Sequence, residues 1–181
     1  MAERDRRAVM LVAIARAAIA DPHADSKRAR WPEPWLEERA ATFVTLHLSG
    51  ELRGCIGTIE PLRALGDDVT HNARAAAYRD PRFPPVAGHE VEALEVEISV
   101  LSRPEALRAA SEGDAIAALR PGVDGVVIEY QDRRATFLPQ VWAGLPDPLS
   151  FLAELRLKAN LPARFWHPEL RLARYTVEKF P

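Results

Sequence analysis

The stretch on which the fold turns is "FVTLHLSGELRGCIGT", residues 43–58. Val44, Leu46 and Leu48 alternate with Phe43, Thr45 and His47, a period of two that marks a strand with one buried face. "SGE" then supplies a turn and Leu52, Gly54 and Ile56 resume the alternation, so the stretch reads as a β-hairpin whose second strand is "LRGCIGT". With Leu52 and Ile56 directed at the core, Arg53, Cys55 and Gly57 fall on the opposite face, and Arg53 and Cys55 become same-face neighbours.

Upstream, "ERDRRAVMLVAIARAAIADP" places Ala8, Leu11, Val12, Ala15 and Ile19 on one helical face and stops at Asp21-Pro22. Glu3 and Asp5 stand where a signal peptide needs positive charge, and Arg16 breaks the apolar run, so a helix is the reading. That run is also too short for a bilayer, which needs about 20 residues. Residues 21–36, with three prolines and no sustained period, read as a loop pinned by Trp31 and Trp35.

Downstream, an alanine-rich helix is expected over about residues 65–79, ended by Asp80-Pro81 and a proline-stiffened segment through Pro85. "LEVEISV" then directs Leu94, Val96, Ile98 and Val100 inward and Glu95, Glu97 and Ser99 outward. A short helix around residues 112–119 precedes a hairpin joining "GVVIEY" to "RATFL" through "QDR". Asp147 caps a helix with Pro148 at its first position and Phe151, Leu152 and Leu155 inside, ending at Asn160 before Pro162. "LARYTVEKF" closes the chain as one strand. Hairpins with helices between them, without repeated strand-helix-strand units, give an α+β class with a mainly antiparallel sheet packed by helices. One domain over residues 1–181 is expected, with any division into lobes near residues 84–90.

A chain of 181 residues buries roughly 70% of its extended surface, enough for a real core. Its 24 basic and 26 acidic side chains leave a formal charge of −2, which provides no global field for DNA or an anionic membrane. Only Lys27, Lys158 and Lys179 are lysines, leaving 21 arginines suited to bidentate recognition of carboxylate or phosphate. A single cysteine forms no intrachain disulfide and no paired-cysteine zinc site, consistent with a cytoplasmic protein. Neither HExxH nor a phosphate-binding glycine loop is present, so no metal and no cofactor is expected.

"FVTL", "LRGCIGT", "RDPRFPPV", "EVEISVLS", "GVDGVVIEY", "RATFLPQVW", "FLAELRLKANLP" and "RYTVEKF" occur in that order across nearly the whole chain. In this pattern the chain resembles the AMMECR domain family. The resemblance implies a larger antiparallel-sheet domain packed by helices with a smaller attached α/β lobe. It implies no agreed reaction. Bacterial and archaeal members occur beside Memo-like and radical SAM proteins, so the resemblance suggests such partners.

Two functions can be built on the "LRGCIGT" strand. In one it lines a cleft that binds a small anionic ligand or a partner's peptide. Gly54 and Gly57 leave room for its approach, Arg53 and Arg82 clamp the charge, Thr58, Asn72 and Gln140 add hydrogen bonds, and Phe83 forms a wall. The structural alternative is that Gly54 relieves crowding beneath a helix and Phe83 staples a turn to the core. In the other, Cys55 is the nucleophile of a transferase or hydrolase. A thiol of pKa about 8.5 is then activated by Arg53, with His71 as base and Glu97 orienting it. The bland counterpart is Cys55 packed as a small hydrophobe. A nucleic-acid reading is weaker, because Cys55 and Ile56 stand where stacking aromatics would be needed.

Overall fold

The computed structural model describes residues 3–23 and 31–181; the 24–30 part of the expected loop lies outside the described residues. The chain forms two compact units, one of Met1–Leu101 with Glu178–Pro181 and one of Ser102–Val177. The division falls at Leu101/Ser102, not in the 84–90 segment. That segment belongs to the first unit, because Val86 is buried in its core and donates its N–H to the carbonyl of Ala77 at 2.8 Å.

In the first unit, α1 (Glu3–Ala20) and α2 (Leu65–Tyr78) accompany a five-stranded sheet. Its strands are β1 (Arg39–Leu48), β2 (Glu51–Gly57), β3 (Arg63–Ala64), β4 (Leu94–Leu101) and β9 (Val177–Phe180), ordered β2-β1-β4-β9 with β3 paired to β1. Val44 pairs with Ile98, Leu46 with Val96 and Leu48 with Leu94, so their side chains line one face in register. Leu11, Ala15 and Ile19 of α1 and Val69, Ala73 and Ala76 of α2 join Val44, Leu46 and Ile98 in one core. The small alanines let α2 approach the sheet closely, and each fully buried Leu or Ile contributes roughly 1.5–3 kcal/mol.

The hairpin forms as its sequence suggests, with one difference. Ser49 (φ 55°) and Gly50 (φ 81°) are both left-handed, the backbone of a tight two-residue turn. Leu46 pairs with Gly54, yet His47 pairs with Leu52, so Arg53 is an extra residue in a β-bulge. Alternation breaks there. Leu52, expected in the core, is 40% exposed, and Arg53 is re-aimed instead of repeating along the face of Cys55.

The second unit contains β5 (Glu105–Leu107), α3 (Glu112–Ala118), β6 (Gly125–Tyr130), β7 (Arg133–Phe137), α4 (Pro148–Lys158) and β8 (Arg171–Tyr175). Its sheet runs β5-β8-β6-β7, all antiparallel. Asp147 caps α4 by accepting from the Ser150 N–H at 2.9 Å, and Phe151, Leu152 and Leu155 are fully buried, as their spacing requires. The Trp142 and Phe151 rings stack at 3.7 Å in this core. "LARYTVEKF" is two strands in place of the one expected: Thr176 separates β8, in the second sheet, from β9, in the first. The α+β class with antiparallel sheets therefore holds. Among the described residues no helix is long and apolar enough to cross a membrane.

Candidate functional site

β2 is the edge strand of the first sheet, and an edge leaves backbone groups without partners. Here side chains supply them. Asp80 Oδ2 accepts the Cys55 N–H at 2.9 Å, and the Arg82 guanidinium donates to the Cys55 carbonyl at 3.0 Å. Asp80 and Arg82 are joined by two further hydrogen bonds, Nε to Oδ1 at 3.0 Å and an Nη to Oδ2 at 2.7 Å. Asp80 is buried while Arg82 is largely exposed, with its guanidinium over the Phe83 ring at 5.5 Å. Bonding to Arg82 and to the Cys55 amide holds the Asp80 carboxyl far below the usual carboxylate range.

Arg53 is equally committed. Its Nε and one Nη meet the two Glu90 oxygens at 2.9 Å each, and its guanidinium also donates to the carbonyls of Pro84 at 2.8 Å and Pro85 at 3.3 Å. The same pairing, with the Ala87 amide, holds Glu90 down to about 2 and raises Arg53 above its ordinary value. The clamp of Arg53 and Arg82 expected for an anion is thus two internal arginine–carboxylate pairs that fasten residues 80–90 along β2. This bidentate pairing saturates most of the donors a ligand would need.

The glycines are also spoken for. A Cβ on Gly54 would run into the carbonyl of Ala76 in α2, and one on Gly57 would run into the Phe43 ring. Gly54 therefore relieves crowding beneath a helix and offers no ligand space. Asn72 is fully buried, and its amide donates to Asp68 and to the Thr42 carbonyl, each at 3.0 Å. Asp68 also accepts from Thr42, from the Thr58 hydroxyl at 2.7 Å and from Arg63 at 3.1 Å. Thr58 and Asn72 thus belong to a polar network that ties α2 to β1 and the end of β2. Phe83 does not enter the core; Val86 does so in its place. Gln140 lies in the second unit, exposed on the 3-10 turn Pro139–Ala143.

The expected catalytic trio is only partly assembled. Cys55 pairs with Thr45 and Thr45 with Glu97, so the three side chains form a row on one sheet face. The thiol is half-buried and lies 3.3 Å from the Thr45 hydroxyl. Gly54, the neighbour of Cys55, faces α2, so alternation sends the thiol to the side away from that helix. His71, carried by α2, is therefore on the wrong side of the sheet to serve as its base. Burial, with Arg63 and Arg79 nearby, pushes the His71 imidazole below its ordinary value. Glu97 is engaged by Lys179 at 2.9 Å.

The histidine on the thiol's own face is His47, two residues along β1 from Thr45 and opposite Glu95. Sequence reasoning passed over it, and over Asp80, Glu90 and Asp68, which organise the region. Alternation from Thr45 could have found His47. "RDPR" could have found Asp80, since an Asp before a turn commonly accepts the amide two residues on, as Asp80 does from Arg82 at 3.1 Å. Among the described residues no group of three or more His, Cys, Asp or Glu is placed to hold a metal ion.

The chain as a whole is similar to known proteins. The profile of the family described as AMMECR1 matches residues 12–180. This chain belongs to the AMMECR1 family. An AMMECR1 relative from Methanothermobacter thermautotrophicus is 41% identical over 177 residues, covering 94% of this chain and 91% of that protein. One from Thermotoga maritima is 39% identical over 151 residues, covering 82% of each. Among solved structures, the uncharacterized protein PH0010 from Pyrococcus horikoshii matches this AMMECR1 chain with a TM-score of 0.81 and 34% identity, covering 97% of this chain and 91% of that one.

Proposed function

We propose that this protein is a binding module whose recognition surface is the open face of the first unit's sheet, centred on Cys55. The observation that carries the reading is that the Cys55 peptide is held by side chains at both its N–H and its carbonyl while its thiol stays half-exposed. The strand is rigidified without being covered, which lowers the ordering cost of docking. Around the thiol stand Thr45, His47 and the Glu97–Lys179 pair, a mixed polar surface with one apolar ring, Phe43.

The occupant this surface suits is a polypeptide. Arg53 and Arg82 are spent on Glu90 and Asp80, so the warrant for a small anion is gone from this strand, and a sheet face is flat where small-molecule sites are concave. The partners that family membership suggests, a Memo-like protein and a radical SAM protein, are the ones to assay. The test is the rate of N-ethylmaleimide alkylation at Cys55, with and without each purified partner from the same genome. Binding should slow alkylation, and in Thr45→Arg the rate should be the same with and without the partner. Equal rates with and without both partners would sink this reading.

A second reading, a transferase or hydrolase using Cys55, is favoured by one observation: His47 shares the thiol's face. It predicts that Cys55 is alkylated faster in the folded protein than in the unfolded chain, and that His47→Ala slows the reaction. Cys55→Ser would abolish turnover in this case and leave partner binding intact in the first.

A further inference from the structure

In the second sheet, Ala106 pairs with Ala173, Ala173 with Val127, and Val127 with Thr136, so these four side chains form one row across the strands. The row lies on the face opposite Leu172, Ile128 and Ala135, which belong to the unit's core. Two residues along each strand on the same face, Arg171 stands opposite Glu129 and Glu129 opposite Arg134. The alanines are shorter than their neighbours and leave a trough of about 280 Å³, walled by Pro104 and ending at the charged row. Glu129 is ion-paired with Arg134 at 2.9 Å. Arg171 lines the trough and is exposed, and its guanidinium makes no hydrogen bond or ion pair among the described residues.

An apolar floor beside an uncommitted guanidinium has a definite complement. The row of Arg171, Glu129 and Arg134 carries a net charge of +1, and with Glu129 answered by Arg134 the excess rests on Arg171. A guanidinium presents parallel N–H donors that match a carboxylate bidentately. The volume lies just below the roughly 300–1,000 Å³ of sites for drug-sized ligands, which suits a single ring or a short acyl chain.

We propose that this trough binds a small organic monocarboxylate, its apolar body on Ala106, Ala173 and Val127 and its carboxylate on the Arg171 guanidinium. The site is separate from the Cys55 face and does not depend on the function proposed for it. A carboxylate at Arg171 gives the guanidinium a partner that the described residues do not supply. The alanines select the body by size, and a long or branched acid would be refused.

The test is a ¹⁵N-resolved NMR titration of the full chain with benzoate, phenylacetate and hexanoate, and with benzamide and hexanamide as uncharged counterparts. The expected result is saturable shifts on residues 104–106, 127–129 and 171–173 for the acids, with the amides at least tenfold weaker. That factor reflects the loss of charge-assisted hydrogen bonds. Arg171→Gln should weaken acid binding at least tenfold. Ala173→Leu, which fills the trough from a half-buried position, should abolish binding with the remaining spectrum preserved. If Ala173→Leu perturbs the fold, Ala106→Val carries the same expectation. Absence of saturable shifts with all three acids, equal binding of acids and amides, or binding unaffected by Arg171→Gln would overturn the proposal. So would stronger binding of a peptide ending in a free α-carboxylate than of benzoate, which would make the trough a peptide site.

Discussion

The two faces of the first unit's sheet are built from the same three strands and behave oppositely. On one face, Val44, Leu46, Val96 and Ile98 are closed over by α1 and α2, and even Gly54 is chosen by the Ala76 carbonyl above it. On the other, Thr45, His47, Cys55 and Glu97 stand in register and remain half-buried. The difference teaches where the family-defining motif directs its constraints. Gly54 serves the packed face, Asp80 and Arg82 secure the strand's edge, and Cys55 alone among the motif's central residues turns its side chain to the open face. Most of the motif is therefore scaffold around one presented thiol.

Four variants would break or sharpen that contrast. The largest effect is expected at the packed face: Gly54→Ala forces a methyl into the α2 backbone and should cost about 3 kcal/mol in urea denaturation. A change below 0.5 kcal/mol, the range of ordinary surface substitutions, would mean α2 yields freely. At the edge, Asp80→Ala leaves the Cys55 N–H and the Arg82 guanidinium without their shared acceptor, and about 2 kcal/mol should be lost. Amide hydrogen exchange at Cys55 should quicken in the same variant, and an unchanged rate would show that Asp80 does not guard the edge.

A smaller effect should appear in acid. Folding lowers the Glu90 pKa from 4.5 to about 2, so its stabilising contribution is complete above pH 4.5 and fades as pH falls towards 2. Glu90→Gln should flatten the stability curve over that window, and a curve parallel to the parent's would remove the Arg53–Glu90 pair from the account. The smallest effect is expected on the open face. Cys55→Ser exchanges one half-buried group for another of similar size and should change stability by less than about 1 kcal/mol. A loss several times larger would mean the thiol is a packing residue and would merge the two faces into one.

Much of the fold was legible because its periodicities are clean. Val44-Leu46-Leu48 and Leu94-Val96-Ile98 read as strands, "SG" as a turn, and Asp147-Pro148 as the start of a helix. What escaped was non-local. Nothing in residues 51–57 announces that Arg53 is a bulge, since the slip is defined by the register of β1. Nor does "LARYTVEKF" show that Thr176 parts two sheets, because both halves alternate alike. At the site, Arg53 and Arg82 do bind carboxylates, but the carboxylates are Glu90 and Asp80 of the same chain, and no local spacing pairs Glu90 with Arg53.

The sequence by itself determined the α+β class, the antiparallel hairpins, the caps and the family, because these depend on local spacing and on ordered motifs. The tertiary structure alone decided that His71 and Cys55 face opposite sides of a sheet, that the glycines of "RGCIG" are filled by Ala76 and Phe43, and that the Arg171 guanidinium has no partner among the described residues. Alternation along a strand is a local property, whereas what lies over each face, and which charge answers which, depends on segments that meet only when the chain folds.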